Sequence, residues 1–457
     1  MEAILDTVLP IPAQTFVGCL TVVVMIHAIL GTIPFLIYAE RKISAYVQDR
    51  LGPNRTGFDL GLPILKKLFR GFGFWGLGQS LADGLKFILK EDYMPRGADK
   101  LLFSLAPACA VIPAFIGWAI IPWGGHVAVP DIVLSGREIV SGGVALVGVA
   151  DINIGFVYLL AVAALGVYGV TLGGWASNNK YSFLGGLRCS AGMISYEIPL
   201  GLSILCVLLV AGSVRPSLIV EEQTMGFGPL GWLLFAQPIA AVIFYTCILA
   251  EANRAPFDNA EAEQELVGGY HTEYSAMRFA LFFLAEYAHM MTSSAFFVVL
   301  FLGGYHLPGV ALTNPEQTGL LAALVKVAVF FTKVVLSVCF MMLIRWTLPR
   351  IRYDQVLKLC WQSLIPLMMV MVVATSIMVA QGWTETWQMF LMNVGVAAAV
   401  LAIMPMMPRS DVNRRVPLAG SRFSPLPGER VQTGPSAGMA RVDDPVTGLR
   451  GAALGGG

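Results

Sequence analysis

Nine apolar stretches, each long enough to cross a lipid bilayer as a helix, constrain this sequence more than any other feature. A helix needs about 20 predominantly apolar residues to span the bilayer core, where every backbone polar group must be bonded within the protein. Of all residues, 56% are hydrophobic and only 13% are charged, whereas about a quarter of the residues in soluble domains are charged. We therefore predict an all-α polytopic membrane protein. The predicted spans are 16–38, 101–121, 154–176, 196–213, 231–250, 280–302, 321–344, 364–382 and 387–407.

The basic residues are distributed unevenly between the two sides that nine spans would create. Of the 30 Lys and Arg residues, 26 fall in one alternate set of connections and in the segment after residue 408, whereas the other set holds only Arg137 and Arg215. Connections rich in Lys and Arg stay in the cytoplasm, so this asymmetry predicts an N-terminus outside and a C-terminus inside a cell or inner membrane. The predicted cytoplasmic connections are 39–100, 177–195, 251–279 and 345–363.

Composition divides the chain into two parts. Residues 1–408 are predicted to form a transmembrane helical domain, and residues 409–457, rich in Arg, Pro and Gly, a disordered cytoplasmic tail. Within the first cytoplasmic connection, the segment LPILKKLFRGFGFW at 62–75 mixes apolar and basic residues. It predicts a cytoplasmic-side amphipathic helix in the plane of the membrane interface, or else a surface helix of a small cytoplasmic subdomain.

The cysteine pattern limits the redox chemistry of the chain itself. The seven cysteines are dispersed and form no CxxC pair, so neither an iron–sulfur cluster nor a zinc site is indicated. Gly71, Gly73 and Gly76 spell GxGxxG, but no strand precedes them, which argues against a dinucleotide site. Gly169 and Gly173 form a GxxxG motif within a predicted span, which indicates close helix packing.

Ionisable side chains inside or at the ends of the predicted spans are functional candidates, because burying a charge in lipid is costly. Glu286 and His289 share one helix face, so they could relay a proton or form a buried pair that fixes helix packing. Lys326 is close enough to the outer surface to extend its ammonium group into water, whereas Lys333 lies deeper. The other candidates are Glu40, Arg41, Glu197 and Glu251.

The cytoplasmic connection 251–279 contains six carboxylates. Glu261, Glu263 and Glu265 follow one another at intervals of two residues, so their charges crowd together in either a helical or an extended segment. Mutual repulsion then favours proton uptake by some of them near neutral pH. A solvated acidic loop is the alternative. Apolar residues argue for a packed connection, and these are Phe257, Leu266, Val267, Tyr270 and Tyr274.

Four segments carry a resemblance to a known family. They are AERKISAYVQDRLGPNRTG (39–57), ADGLKFILKED (82–92), EANRAPFDNAEAEQELVGGYHTEYSAMRFALFFLAEY (251–287) and LPRIRYDQ (348–355). They resemble the signature segments of the H-type (subunit 1) membrane subunit of proton-translocating NADH:quinone oxidoreductase, respiratory complex I. The resemblance extends over residues 16–382. It implies a subunit of a respiratory-chain translocase that joins the membrane arm to the peripheral arm and forms much of the quinone-binding tunnel.

The resemblance also implies roles for individual residues. The residues matching quinone-tunnel positions are Glu40, Arg41, Arg50, Asp83, Arg254, Asp258 and Arg345. The residues matching proton-coupling carboxylates are Glu197, Glu251, Glu261, Glu263, Glu265, Glu273 and Glu286. No residue of this chain matches a redox-active catalytic group or a metal ligand of the family.

Cofactors and partners follow from the same resemblance. Quinone is implied as the substrate, FMN and iron–sulfur clusters would reside in partner subunits, and this chain alone would bind no cofactor. The implied partners are peripheral quinone-site and iron–sulfur subunits, small membrane subunits, antiporter-like subunits and membrane lipid, without nucleic acid.

Several alternatives stay open at the level of sequence. The chain could be the equivalent subunit of a membrane-bound hydrogenase or a ferredoxin-linked complex. A stand-alone proton-coupled transporter and a purely structural anchor are further alternatives. Co-purification in mild detergent, followed by an assay of NADH-dependent quinone reduction, distinguishes them. The sequence departs from the family pattern in an insertion near 58–78, a ninth span and the C-terminal tail.

Overall fold

The structure is a computed structural model of the chain. It describes residues 11–57, 74–134, 137–225, 231–259 and 263–403. Three predictions lie outside these residues: most of the amphipathic helix at 62–75, the tail at 409–457, and Glu261. Contacts group the chain up to Val396 into one compact unit, and only the end of a helix is described in the second unit.

Helices account for most of the described residues. In chain order they are α1 (Ala13–Val47), α2 (Gln79–Leu89), α3 (Lys100–Ile116), α4 (Gly155–Ala176), α5 (Lys180–Ala211), α6 (Pro216–Met225), α7 (Leu233–Ala236), α8 (Pro238–Glu251), α9 (Glu263–Leu266), α10 (Ala276–Phe301), α11 (Leu320–Thr347), α12 (Tyr353–Lys358), α13 (Ile365–Ala380) and α14 (Thr386–Ile403). A 3₁₀ turn over Gly117–Ile120 extends α3, and the π-helical residues Leu359–Leu364 join α12 to α13.

The predicted all-α membrane fold is confirmed. Within the described ranges, eight helical segments are long and apolar enough to cross a bilayer, and α8 is a shorter apolar helix. Each of them overlaps one predicted span, because long apolar runs without interruption are the signal that lipid imposes on a sequence. The eight segments are α1, α3 with its 3₁₀ turn, α4, α5, α10, α11, the continuous unit α12–α13, and α14.

Two helices extend further than the apolar runs indicate. α5 begins at Lys180, after Asn179 accepts a hydrogen bond of 2.9 Å from the backbone N–H of Tyr181 as its N-cap. The predicted loop 177–195 is therefore mostly helical, because polar residues at the end of a helix escape a hydropathy scan but do not stop the helix. α1 likewise continues past Glu40 to Val47.

The predicted span 231–250 is divided into two helices. α7 ends at Ala236, and α8 begins at Pro238. Gln237 between them has φ −131° and ψ 61°, which is not helical. Because proline lacks a backbone N–H, Pro238 interrupts the helical hydrogen bonds at this point.

Short strands, which the sequence analysis did not predict, occupy the connection between α3 and α4 and the residues just before α1. The strands are β1 (Ile11–Pro12), β2 (His126–Val129), β3 (Ile132–Leu134), β4 (Arg137–Ser141) and β5 (Gly143–Leu146). β2 pairs antiparallel with β5, with His126 opposite Leu146. β4 lies between β3, which is antiparallel to it, and β1, which is parallel to it. A search for long apolar runs does not detect strands of two to five residues.

Gly169 brings α4 close to α3, as the GxxxG motif predicts. A Cβ atom at Gly169 would lie 2.6 to 2.8 Å from atoms of Ala110 in α3. At Gly173 the nearest atom, from the Phe282 ring in α10, would be 3.1 Å away. Helix approach of this kind requires the absence of a side chain at the contact.

We predict that Gly169→Ala destabilises the protein, because the added methyl group overlaps the α3 backbone. The expected loss is about 1–3 kcal/mol, typical of overpacking. Gly166→Ala is the matched control on the same helix, since a Cβ atom there meets nothing within 4 Å. Thermal unfolding in detergent measures both, and equal midpoint temperatures for the two variants would contradict the packing analysis.

Candidate functional site

Glu40 is the centre of a buried polar cluster near the end of α1. Its carboxylate accepts hydrogen bonds from the Tyr287 hydroxyl of α10 and from the Arg345 guanidinium in the last turn of α11. Arg254 Nη1 lies 3.3 Å from Glu40 Oε1. Only 6% of Glu40 is exposed, so these groups replace the water that an ionised carboxylate otherwise requires.

A tight turn after α8 places Arg254 in this cluster. Asn253 has φ 51°, a left-handed conformation that asparagine tolerates better than most residues. The backbone N–H of Arg254 then donates to the carbonyl of Leu249 at 3.1 Å. The chain therefore reverses at the end of α8 and directs the guanidinium towards α1 and α10.

Arg254 joins two carboxylates. Its Nε atom lies 2.5 Å from Glu286 Oε1, while its Nη1 contacts Glu40. Its guanidinium also lies 4.5 Å from the centre of the Tyr287 ring, a distance typical of a cation–π contact. We call Glu40, Arg254 and Glu286 the Arg254 chain.

One end of the Arg254 chain lines a cavity of about 560 Å³, the larger cavity. Five of the seven residues expected at the quinone tunnel line it, and Arg41 forms an ion pair of 2.6 Å with Asp83 at its wall. The five are Glu40, Arg41, Asp83, Arg254 and Arg345.

Arg50 and Asp258 do not line this cavity. Asp258 is buried and accepts a hydrogen bond of 2.6 Å from Arg350 Nη2. Arg50 is exposed just beyond the end of α1, where it donates to the side chain of Gln48. The structure thus separates these two residues from the other five.

The sequence analysis missed the aromatic wall of the larger cavity. Phe279, Phe283 and Tyr287 line it, at intervals of four residues along α10. Residues four apart share a helix face, so this spacing was a signal available in the sequence. Lys86 and Lys90, at the end of α2, were also missed and add positive charge to the cavity.

The other end of the Arg254 chain reaches a smaller cavity of about 50 Å³. Glu251, Glu286 and His289 line it together with Asn253 and apolar side chains. His289 Nε2 lies 3.6 Å from Glu251 Oε1, so the histidine faces a carboxylate of α8. The interpretation of Glu286 and His289 as groups on one face is confirmed, since both border this cavity.

Glu197 lies on α5, and its Oε1 atom is buried without a hydrogen-bond partner among the described residues. Glu251 is near enough to interact with it electrostatically. Glu286 borders the same cavity as Glu251. The structure thereby brings Glu197 of α5 and Glu286 of α10 into the neighbourhood of Glu251.

The acidic connection before α10 is packed against the helices. Phe257, Leu266, Tyr270 and Tyr274 are buried, which confirms the expectation drawn from them, whereas Val267 is exposed. Tyr274 stacks on Phe103 with 4.0 Å between ring centres, and its hydroxyl donates to the Phe103 carbonyl. Burial raises the pKa of Tyr274 well above its usual value.

The carboxylates of this connection line neither cavity where their side chains are described. Glu265 pairs with Arg188 of α5, and Glu273 accepts a hydrogen bond of 2.6 Å from Asn179 Nδ2. Glu263 begins α9, and its side chain, like all of Glu261, lies outside the described residues. The predicted crowding of Glu261, Glu263 and Glu265 therefore stays a prediction.

The two lysines of α11 have structural partners. Lys326 is fully buried and donates to the carbonyl of Gln317 at 2.7 Å, so the expectation that its ammonium reaches water is wrong. Lys333 donates to three carbonyls just beyond the end of α10, at 2.5 to 3.0 Å. A cation at a helix C-terminus satisfies carbonyls that have no intrahelical donor.

The described residues contain no group of three or more His, Cys, Asp and Glu side chains that could hold a metal ion. What the arrangement offers instead is a chain of ionisable groups between two cavities. Such groups can exchange protons and respond to each other's charge.

Comparison with known proteins gives consistent matches. A sequence model of the NADH dehydrogenase family matches residues 20–376. The first of the numbered H-type subunits of NADH-quinone oxidoreductase from Cytophaga hutchinsonii is 44% identical over 338 residues, which cover 74% of this chain and 89% of that protein. Its namesake from Geobacter sulfurreducens is 44% identical over 364 residues, covering 79% and 94%. The H-type subunit of NADH-quinone oxidoreductase from Salinibacter ruber is 41% identical over 362 residues, covering 78% and 93%.

We predict that Arg254→Met strongly destabilises the protein, since it removes a cation bonded to two buried carboxylates. Breaking a buried ion pair on one side typically costs about 3–5 kcal/mol. Arg188→Met is the control, because its pair with Glu265 is partly exposed and contributes at most about 1 kcal/mol. Thermal unfolding of both variants provides the measurement, and a midpoint for Arg254→Met as high as that of the control would contradict the prediction.

Proposed function

The chain belongs to the NADH dehydrogenase family, as an H-type membrane subunit of NADH-quinone oxidoreductase, and we propose that it forms much of the quinone-binding tunnel and couples quinone reduction to proton translocation. The Arg254 chain is the observation that carries this proposal. It connects a cavity of ligand size to a buried group of ionisable residues in the membrane domain.

The larger cavity suits a quinone in size and chemistry. Its volume of about 560 Å³ falls within the usual range for small-molecule sites, about 300–1,000 Å³. Ile37, Phe279 and Phe283 offer an apolar surface to a quinone ring and its isoprenoid tail. Tyr287 and Arg345 add polar groups on the same walls. Partner subunits, with their FMN and iron–sulfur clusters, would complete the site and deliver the electrons.

Charge is the means of coupling in this proposal. Quinone reduction consumes two electrons and two protons, so negative charge appears or protons are withdrawn beside Glu40. At about 5 Å, two unit charges interact by about 3 kcal/mol at an effective dielectric constant near 20. That energy exceeds the difference needed to move a proton between neighbouring groups of similar acidity. The charge state of Glu40 would therefore change with the chemistry in the tunnel.

Arg254 transmits the change inwards. A guanidinium shared by Glu40 and Glu286 binds each carboxylate more strongly when the other one is protonated. Protonation of Glu40 would strengthen the contact of Arg254 with Glu286, and loss of that proton would weaken it. Two arrangements of one side chain thus provide the two-state element that a coupling mechanism requires.

The proton route continues through the smaller cavity. Its volume of about 50 Å³ accommodates a few water molecules, since one water needs about 10–15 Å³ of such space. Glu251 and His289 would exchange protons with Glu286 through that water, and Glu197 would pass them towards the antiporter-like subunits. Because Glu265 and Glu273 border neither cavity, we assign them, with Glu261 and Glu263, to the approach from the cytoplasm.

Orientation and partners are part of the proposal. The uneven distribution of Lys and Arg supports an N-terminus outside and the tunnel on the cytoplasmic side. Large apolar side chains are exposed at the cytoplasmic end of α1 and around α2, where the peripheral subunits would dock. They are Tyr46, Leu51, Leu89 and Tyr93.

We predict that Glu286→Gln, in the assembled complex, lowers both quinone-linked turnover and the number of protons moved per electron pair. The amide cannot exchange a proton, and an effect of about tenfold or more on turnover is expected when such a group is lost. Glu222→Gln is the control, because Glu222 is an exposed carboxylate on α6. Vesicles containing the complex allow NADH oxidation and proton uptake to be measured together. Turnover and proton yield at the control level in Glu286→Gln would refute the proposed route.

A further inference from the structure

The break between α7 and α8 is an exposed weakness of a membrane helix. Pro238 contributes no N–H, and Gln237 leaves the helical conformation. Backbone groups on both sides consequently lack their usual partners, and lipid cannot supply them. A break of this kind needs a polar group from elsewhere in the protein.

Asn393 of α14 supplies that polar group. Its Oδ1 atom accepts a hydrogen bond of 3.3 Å from the backbone N–H of Ile239, and its Nδ2 atom donates to the carbonyl of Ala236 at 3.1 Å. A second Nδ2 bond, to the Met389 carbonyl at 2.9 Å, fixes the amide on its own helix. Only 1% of Asn393 is exposed. An amide side chain can both donate and accept at one site, which neither leucine nor an ionised aspartate can do.

The residue comes from a part of the chain that the family comparison does not include. The family match ends at residue 376, whereas α14 begins at Thr386. This ninth span, a departure from the family pattern, is therefore bonded to the most irregular point of the membrane domain.

α8 connects the break to the Arg254 chain. Its 14 residues rise by about 1.5 Å each, so the helix is about 21 Å long. Ile239 in its first turn is bonded to Asn393, and Glu251 at its last residue faces His289. Because a helix of this length moves as a rigid rod, the position of its first turn determines the position of Glu251 and of the turn that carries Arg254.

We propose that Asn393 is a positioning residue, which holds α8 in the register that places Glu251 and Arg254 in the coupling route. This inference rests on the proposed function. Asn393 lines neither the larger nor the smaller cavity, so it acts on the chemistry only through α8.

The test compares Asn393→Leu, which keeps the approximate size of the side chain and removes the amide, with Asn393→Gln, which keeps the amide. Quinone-linked turnover per assembled complex, KM for quinone and protons per electron pair are measured in vesicles. We expect Asn393→Leu to lower turnover about tenfold, as small misplacements of acting groups do, and to lower the proton yield with KM unchanged. Asn393→Gln should retain more of both. A role in assembly alone would reduce the amount of complex and leave turnover per complex and proton yield unaltered.

Val394→Ala is the matched control, an exposed neighbour on the same helix that should behave as wild type. Wild-type turnover and proton yield in Asn393→Leu would overturn the proposal, as would equal losses in Asn393→Leu and Asn393→Gln. Should Asn393→Leu fail to assemble, Asn393→Ser replaces it, since serine is polar but too short to reach both backbone groups. Unaltered turnover and proton yield in that variant would likewise overturn the proposal, and a loss of both would support it.

Glu286→Gln in the same assay separates this inference from the proposed function. An impaired Glu286→Gln beside an unimpaired Asn393→Leu would refute the positioning role alone. Wild-type behaviour of both variants would refute both proposals.

Discussion

The sharing of one guanidinium between two buried carboxylates is the interaction on which the site depends. Glu40 and Glu286 lie on different helices, and Arg254 on the turn after α8 contacts both. Burying any of these charges alone would be strongly unfavourable, so α1, α8 and α10 must meet with their polar groups aligned. The alignment also creates the two cavities, because side chains that converge on Arg254 cannot fill the space on either side of it completely.

Lipid imposes the second constraint, which is that no backbone group may lack a partner. Most of the described membrane domain meets it with uninterrupted helices. Where a helix ends or breaks within this domain, a side chain from a distant segment serves as partner: Lys333 at the end of α10 and Asn393 at the break before α8. Polar residues in the spans therefore have two different uses. Those that bond to backbone hold the helices in place, and those that bond to one another form the candidate site.

The sequence predicts the helices well because each span depends on its own residues. It also identifies most of the charged residues of the site, through their cost in lipid and through the family resemblance. It does not reveal which groups meet, since Arg254 contacts a residue 214 positions away in the chain. Tyr287 was missed although its spacing from Phe279 and Phe283 was visible, because aromatic residues in a span are usually read as packing. The break at Gln237 was hidden within an apolar run, and the structural role of Lys326 depends on a carbonyl that no local pattern indicates.

The central claim is that chemistry in the larger cavity changes the protonation of carboxylates beyond Arg254. Infrared difference spectra of the assembled complex, recorded between its oxidised-quinone and reduced-quinone states, test it directly. The account predicts a carboxyl signal in the wild-type spectrum that is lost in Glu286→Gln and persists in Glu222→Gln. Spectra without any carboxyl signal, or with a signal that is the same in wild type and in Glu286→Gln, would contradict it.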